Sequence, residues 1–217
     1  MQVISTGNGK EITLDLVNII VSNREYLSEI DGAIGDGDHG INMAKGFNLC
    51  AKAIADRELS LSEGFEEISD ALMEGIGGSM GPLYGSFFMG MSDSISGKNE
   101  LSQQDFLAML KNGLSELQDI SSATVGDKCL MDTLIPAVNA FEEATKAGKH
   151  FKQALDAMQA AAVAGRDSTV DLVAKIGRAS RLGERSRGVL DAGATSCCLL
   201  LCQLAQSVEK QSALTNA

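Results

Sequence analysis

This sequence contains few of the residues that interrupt helices or favour strands. Of its 217 residues only two are proline, none is tryptophan, and aromatic residues make up 4%. Proline is the strongest helix breaker, and aromatic side chains are enriched in strands. The chain is instead rich in Ala, Leu, Met, Glu and Lys, which favour helix. We therefore predict an all-α protein, and we find no alternating strand pattern, internal repeat or linker-like segment.

Long hydrophobic runs are also missing. No segment approaches the roughly 18 consecutive apolar residues of a membrane span, so we predict no membrane partner. Residues 1–7 lack the basic and apolar regions of a secretory signal. The five cysteines form no CxxC pair, and Cys197, Cys198 and Cys202 share one apolar segment, as expected of reduced thiols. These features predict a cytoplasmic chain.

Positive charge is scarce. Lysine and arginine number 18 against 29 acidic residues, which gives a formal net charge of -11. A chain this acidic repels the phosphate backbone, so nucleic acid is excluded as an expected partner. A small anion could bind only where metal ions or a local basic patch offset the field.

The apolar spacing predicts one domain over residues 1–217, built from about eight helices. Capping-box patterns at Ser60–Glu63 and Ser102–Asp105 mark two helix starts, and Pro82 suits the first turn of another. The predicted helices cover roughly 12–29, 41–54, 61–73, 82 onward, 103–114, 130–146 (with Pro136 as its one interruption), 149–175 and 194–211.

Glycines and charges concentrate in four loops between these helices, at 31–42, 75–82, 121–129 and 177–193. If the helices run alternately up and down, loops separated by an even number of helices lie at the same end of the bundle. All four loops satisfy this condition. We therefore expect them to form one site.

The loop at 31–42 carries Asp31, Asp36 and Asp38, followed by His39 and Asn42. Crowded carboxylates repel one another, and a shared divalent cation such as Mg²⁺ would offset that repulsion. The alternative is that the aspartates are turn formers and helix caps. Gly35 to Gly40 also matches the GxGxxG dinucleotide fingerprint, but a helix rather than a strand precedes it, so we reject that interpretation. The loop also lacks the glycine and glutamate of an EF-hand.

The other loops give weaker signals. Glycines in 75–82 could expose backbone amides to phosphate at a helix start, or could form a tight turn. No P-loop motif is present. Gly126-Asp127-Lys128, by itself, indicates an exposed turn with a solvated ion pair. Four arginines lie close together in the last loop: Arg178, Arg181, Arg185 and Arg187. They suit phosphate recognition, binding of a partner protein, or an ion-pair network with Glu184.

Four motifs together resemble one family. They are the run from Gly35 to Met43, the run from Gly77 to Gly85, Gly126-Asp127-Lys128, and the segments from Gly177 to Ser186 and from Gly193 to Ser196. In this order they are similar to the nucleotide-binding L subunit of dihydroxyacetone kinase, DhaL, along the whole chain. The resemblance implies a single-domain, eight-helix antiparallel up-and-down barrel with the nucleotide site in the loops at one end.

The resemblance also implies ligands and residues. ADP or ATP is held with two Mg²⁺ ions, and the metal ligands fall on Asp31, Asp36 and Asp38. No protein residue is assigned as catalytic, since the family relies on metal-assisted phosphoryl transfer. The nucleotide contacts fall on His39, Gly40, Ile41, Asn42, Ser79, Met80, Ser121, Leu130, Arg178, Asp191, Ala192 and Gly193.

The implied activity is transfer of the terminal phosphoryl group to dihydroxyacetone, or a related short ketose, bound on a separate K subunit. An M subunit of the phosphotransferase system would recharge the ADP. The alternatives are an ATP-exchanging kinase subunit for another ketose such as erythrulose, and a nucleotide-binding regulatory protein that contacts a transcription regulator. Departures at Met80, Leu130 and Ala192 from residues common in the family leave the ketose and the phosphoryl donor open.

Overall fold

The computed structural model describes the backbone of residues 3–215 and the side chains of residues 3–211. The described backbone contains two short strands, nine α-helices and two 3₁₀ segments. In chain order these are β1 (Val3–Ser5), α1 (Gly9–Ser22), α2 (Arg24–Ile34), α3 (His39–Ala53), α4 (Leu61–Gly75), α5 (Met80–Ile95), β2 (Glu100–Ser102), α6 (Gln103–Ile120), α7 (Met131–Lys146), α8 (Phe151–Ser168), 3₁₀ segments Thr169–Asp171 and Arg178–Ser186, and α9 (Ala192–Thr215).

The helices form a closed ring. From α3 to α9 each helix packs against the next, and α1 packs against both α3 and α9. This arrangement confirms the predicted all-α, up-and-down barrel. No helix in the described ranges has the length and apolar content that a membrane span needs.

The predicted first helix is divided into α1 and α2 at Asn23. The Asn23 side-chain amide donates to the carbonyl of Ile19 at 2.8 Å, and its backbone N–H donates to Ile20 at 3.2 Å. An asparagine side chain that bonds to the local backbone competes with helix continuation. After the break α2 runs to Ile34, so Asp31 lies in a helix and not in the loop where we predicted it.

Two further predictions of secondary structure were wrong. The chain contains a pair of antiparallel strands, in which Ile4 pairs with Leu101. Each strand has three residues, which is too short for alternation to be visible in the sequence. The helix predicted to reach residue 175 ends at Ser168, where a 3₁₀ turn begins.

The predicted helix starts are confirmed where local chemistry fixes them. The Ser60 backbone N–H donates to Glu63 at 2.8 Å, and that of Ser102 donates to Asp105 at 2.9 Å, which completes both capping boxes. Pro136 lies inside α7 without ending it. Proline has no backbone N–H, so Pro136 cannot bond to the carbonyl of Asp132 one turn earlier. That carbonyl oxygen lies against Gly165 of α8, where an added Cβ would come within 2.2 Å of it.

The core holds two phenylalanine clusters on opposite parts of the ring. Phe106, Phe141 and Phe151 of α6, α7 and α8 have centroids 5.2 to 6.0 Å apart. The other cluster joins α3, α4 and α5 through Phe47, Phe65, Phe87 and Phe88. Burying rings of this size supplies much of the packing energy of a small core.

Candidate functional site

The three aspartates converge at the junction of α2 and α3. One carboxylate oxygen from each of Asp31, Asp36 and Asp38 lies within 4.8 Å of the others. Opposite oxygens around an octahedral Mg²⁺ are about 4.2 Å apart, so small side-chain rotations would place all three on one ion. An all-oxygen donor set is also the set that Mg²⁺ prefers. The triad fits a divalent cation.

The backbone holds this triad from both sides. Asp31 projects from the last turn of α2, and its Oδ2 accepts the His39 backbone N–H at 3.2 Å. Gly37 has φ +76°, a left-handed conformation that glycine adopts without strain. Gly40 packs directly on α2, where a Cβ would come within 1.9 Å of the Arg24 carbonyl oxygen. The close packing of α3 on α2 thus keeps the connecting residues Asp36 and Asp38 near Asp31.

Arg178 joins the fourth predicted loop to the first. Its guanidinium forms an ion pair with the Asp36 carboxylate, and both side chains are about half exposed. The second 3₁₀ segment also packs against α2. One arginine beside three carboxylates leaves the site negative, so it suits a metal ion first and an anion once metal offsets the charge.

His39 points away from the triad, into the barrel. Its Nε2 lies 2.9 Å from the Ser196 hydroxyl, which lies 2.6 Å from the Tyr84 hydroxyl. Tyr84 also donates to the Gly193 carbonyl at 3.0 Å. Burial lowers the pKa of His39 to about 4, although the nearby Asp31 carboxylate opposes the shift, so the imidazole is neutral at neutral pH. These bonds tie the starts of α3, α5 and α9 together.

The Ser196–His39 pair has the spacing of a nucleophile and its base, but its surroundings exclude that role. Ser196 is fully buried, and its hydroxyl is already shared with Tyr84. No substrate atom can approach an oxygen enclosed in this way, and a nucleophile needs such an approach. The pair therefore has a structural role.

Lys128 departs most from the sequence-based prediction. We predicted a solvated turn, yet only 2% of Lys128 is exposed. Its ammonium donates to the carbonyls of Thr169 at 2.6 Å, Leu172 at 3.2 Å and Val189 at 2.7 Å. The predicted solvated ion pair instead involves the neighbouring residue, since Asp127 pairs with Lys175 at 3.5 Å.

Two carboxylates, those of buried Asp132 and half-buried Asp191, support the same region. Asp132 accepts the N–H groups of Gly126 at 2.6 Å and Cys129 at 2.7 Å. Asp191 accepts the Ala194 N–H at 2.8 Å and so caps the start of α9. Burial raises the pKa of Asp191 to about 6, against the lowering effects of the Ala194 bond and the Lys128 charge.

The remaining predicted contact residues have varied surroundings. Gly193 approaches Leu130, since a Cβ on it would lie 3.5 Å from the Leu130 nitrogen. Ala192 and Leu130 are buried, whereas Ile41 and Ser79 are exposed. Asn42 and Met80 are half-buried at the first turns of α3 and α5. The Ser121 hydroxyl accepts a local bond from Ala123 at 3.3 Å and shows no contact with the triad.

The predicted convergence of the four loops is therefore seen in specific contacts. The first loop meets the fourth through Asp36 and Arg178. The third meets the fourth through Lys128, and the start of α5 meets α9 through Tyr84. The sequence analysis placed Lys128, Tyr84 and Ser196 in motifs but did not predict these contacts. Their partners are distant in the chain, so no local pattern could have identified them.

Comparisons with a family model and with known proteins agree on one family. The DAK2 domain family model matches residues 33–206. The "PEP-dependent dihydroxyacetone kinase 2, ADP-binding subunit DhaL" of Listeria innocua is 38% identical, with 90% of this chain and 92% of that protein covered. The corresponding ADP-binding subunit of Escherichia coli is 32% identical, with 89% and 92% covered.

A solved structure extends the likeness to three dimensions. The dihydroxyacetone kinase of C. freundii, in complex with AMP-PNP and Mg²⁺, aligns with a TM-score of 0.68 at 25% identity. The alignment covers 91% of this chain but only 33% of that chain. This chain therefore spans about a third of the C. freundii kinase.

Proposed function

Because this chain belongs to the DAK2 domain family, in its DhaL group of phosphotransferase subunits, we propose that it holds ADP or ATP with two Mg²⁺ ions for phosphoryl transfer. The observation that carries the proposal is the aspartate triad, whose oxygens lie within 4.8 Å of one another beside Arg178. In the proposed reaction the terminal phosphoryl group passes to dihydroxyacetone, or a related short ketose, held by a separate K subunit.

The residues of the site have separate tasks. Asp31, Asp36 and Asp38 would hold the ions, which when bound neutralise phosphate charge and orient the oxygens for in-line transfer. Arg178 would offset the remaining negative charge. The first turns of α3 and α5 each leave backbone N–H groups without helical partners, and these suit phosphate oxygens. Transfer of this kind needs positioning and charge rather than a protein nucleophile.

We also propose how the nucleotide is recharged. The relatives from L. innocua and E. coli are both called PEP-dependent and ADP-binding. By analogy, ADP would stay on this chain between turnovers, and an M subunit of the phosphotransferase system would rephosphorylate it in place.

The experiment measures bound nucleotide and its dependence on the triad. Purified protein should retain ADP through dialysis against Mg²⁺ buffer, detected by chromatography of the denatured sample. Asp36→Asn and Asp38→Asn should each lose MgADP binding in calorimetry while far-UV circular dichroism stays helical. Asp156→Asn, which removes an exposed carboxylate of α8, is the matched control. Equal MgADP binding by all four proteins would remove Asp36 and Asp38 from the site.

The transfer itself needs a second assay. The chain, a cognate K subunit, Mg²⁺, a phosphoryl donor and dihydroxyacetone should together yield dihydroxyacetone phosphate. Omitting this chain should abolish the product. If complete mixtures with retained MgADP give no sugar phosphate, the nucleotide is bound for some purpose other than ketose phosphorylation.

A further inference from the structure

The loop that carries Arg178 is closed at its base by one buried lysine. We name residues 173–188 the arginine loop. The residues that flank it are Leu172 and Val189, and the Lys128 ammonium donates to the carbonyls of both, at 3.2 and 2.7 Å. Its third bond, to Thr169 at 2.6 Å, reaches the 3₁₀ turn that precedes the loop.

The three bonds match the chemistry of an ammonium group. A charged lysine has three N–H donors and no acceptor, and here each donor has a carbonyl. A neutral amine would keep only two hydrogens and would turn a lone pair toward the third carbonyl. Burial lowers the pKa of Lys128, and the nearby carboxylates of Asp191 and Asp132 oppose that shift without bonding to the ammonium. The backbone at Lys128 is left-handed, with φ +63°, which turns this side chain inward beside Gly126.

Other bonds also cross this base, and one of them has a charged donor, since the Arg187 guanidinium donates to the Asp171 carbonyl. The Gly188 N–H donates to Val170 at 2.8 Å, and the Ala174 N–H donates to the Ser186 hydroxyl at 2.9 Å. In contrast, the outer part of the loop is exposed. Arg181 and Arg185 lie there on the surface. The loop is thus anchored at its base, and its outer part meets α2 while Arg181 and Arg185 stay exposed.

We propose that Lys128 is a positioning residue, which fixes the base of the arginine loop so that Arg178 is held at Asp36 in the nucleotide site. This inference rests on the proposed function for its consequence in binding, but the anchoring itself does not depend on it. Without the ammonium, the carbonyls of half-buried Leu172 and Val189 lose this partner, and the Thr169 carbonyl keeps only the Leu172 N–H at 3.3 Å. Leaving such groups unpaired is costly enough to loosen the base of the loop.

The first test is cleavage of the loop in the ligand-free protein. Trypsin cuts after lysine and arginine, and the cuts followed here are those after Arg181 and Arg185, which are exposed within the loop and unchanged in every variant. Lys128→Met should raise the rate of cleavage at these two sites by about tenfold or more, followed by mass spectrometry, because the lost bonds are to a charged donor. Lys175→Met is the matched control, since Lys175 lies at the same loop base but only on the surface, paired with Asp127.

The second test asks whether Lys128 acts through Arg178. Lys128→Met and Arg178→Ala should each weaken MgADP binding, and the double variant should lose little more than either one. Additive losses, or a wild-type cleavage rate in Lys128→Met, would overturn the proposal. If the wild-type protein binds no MgADP, the proposed function is wrong. The cleavage assay still shows whether Lys128 anchors the arginine loop.

Folding of the variants is part of the design. Lys128→Gln keeps a buried donor and replaces Lys128→Met if the latter does not fold. It should give an intermediate cleavage rate with an unchanged helical spectrum. Unfolding of both variants would show that Lys128 supports the whole domain rather than one loop, and would also overturn the proposal.

Discussion

Arg178 and Asp36 form an ion pair across the mouth of the barrel, so that one of the three crowded carboxylates already has a cation. The arginine lies on a 3₁₀ segment that precedes α9, and the aspartate lies between α2 and α3. The contact joins a loop with four arginines to the loop that carries the aspartates. It also means that a metal ion must compete with a guanidinium for Asp36.

This competition gives the first prediction. Arg178→Ala should raise the affinity for Mg²⁺ alone, by up to about fivefold, because an exposed ion pair is worth about 1 kcal/mol or less. The same change should lower the affinity for MgADP, since the arginine would face phosphate there. Calorimetry with each ligand measures both. Arg181→Ala removes the same charge from the same 3₁₀ segment, and equal effects from the two variants would point to net charge alone.

Tyr84→Phe tests the bonds that join α5 to α9. Removing the hydroxyl leaves the buried Ser196 hydroxyl and the Gly193 carbonyl without this partner, so the free energy of unfolding should fall by about 1–3 kcal/mol in urea denaturation. Tyr26→Phe, at a tyrosine that is 42% exposed, should change it little. The hydroxyls of Tyr84 and Ser196 share one hydrogen bond. The double variant Tyr84→Phe/Ser196→Ala should therefore lose less unfolding free energy than the sum of the two single losses. Full additivity would show that the two hydroxyls act independently.

Gly40→Ala tests the close packing of α3 on α2. The added Cβ would lie 1.9 Å from the Arg24 carbonyl oxygen, so the helices must separate. Overpacking of this kind costs about 1–3 kcal/mol, measurable by thermal or urea unfolding. Gly77→Ala is the control, because a Cβ there meets nothing within 4 Å. Equal stability of the two variants would mean that α2 and α3 are not in this contact.

Asp105 provides a prediction of pH dependence. Hydrogen bonds from Ser102, and then the Lys98 ammonium, lower the pKa of Asp105 to about 2. A carboxyl whose pKa is lower in the folded state stabilises the protein above its unfolded pKa, near 4, and loses that contribution as the pH falls toward 2. Asp105→Ala should therefore cost about 1 kcal/mol at pH 7, the usual value of a helix cap, and much less near pH 2.

The control for this pH effect is Asp70→Ala, which removes an exposed carboxylate from α4. Its cost should be small and should vary little over the same pH range. Urea unfolding at several pH values between 7 and 2 measures both variants. A constant cost for Asp105→Ala across that range would show that the capping box does not depend on the charged carboxylate.

Local chemistry explains which parts of the fold were predictable. Ser60 and Ser102 cap helices by bonding to residues three positions later, so the signal and the structure span the same few residues. The break at Asn23 also has a local cause. However, polar residues are common within helical patterns, so an asparagine there does not by itself predict a helix break. The strand pair β1–β2 joins residues about a hundred positions apart, and nothing local records that pairing.

The residues of the candidate site also form two groups, those that the sequence pattern identified and those that only the folded chain brings together. The aspartates were found because they crowd into eight positions, and the loop convergence was found because helix alternation is a simple topological rule. Lys128 shows the limit of that reasoning. A lysine after Gly-Asp indicates a surface turn, and only the folded chain shows that three distant carbonyls surround its ammonium.

The sequence by itself determined the all-α class, most helix starts, and an acidic loop suited to a divalent cation. These follow from propensity, capping and the repulsion of neighbouring carboxylates, which act over a few residues. Only the tertiary structure decided that Arg178 meets Asp36, that His39 turns inward to Ser196, and that Lys128 is buried. Each of these depends on the closure of the helix ring, which brings together residues that no local pattern connects.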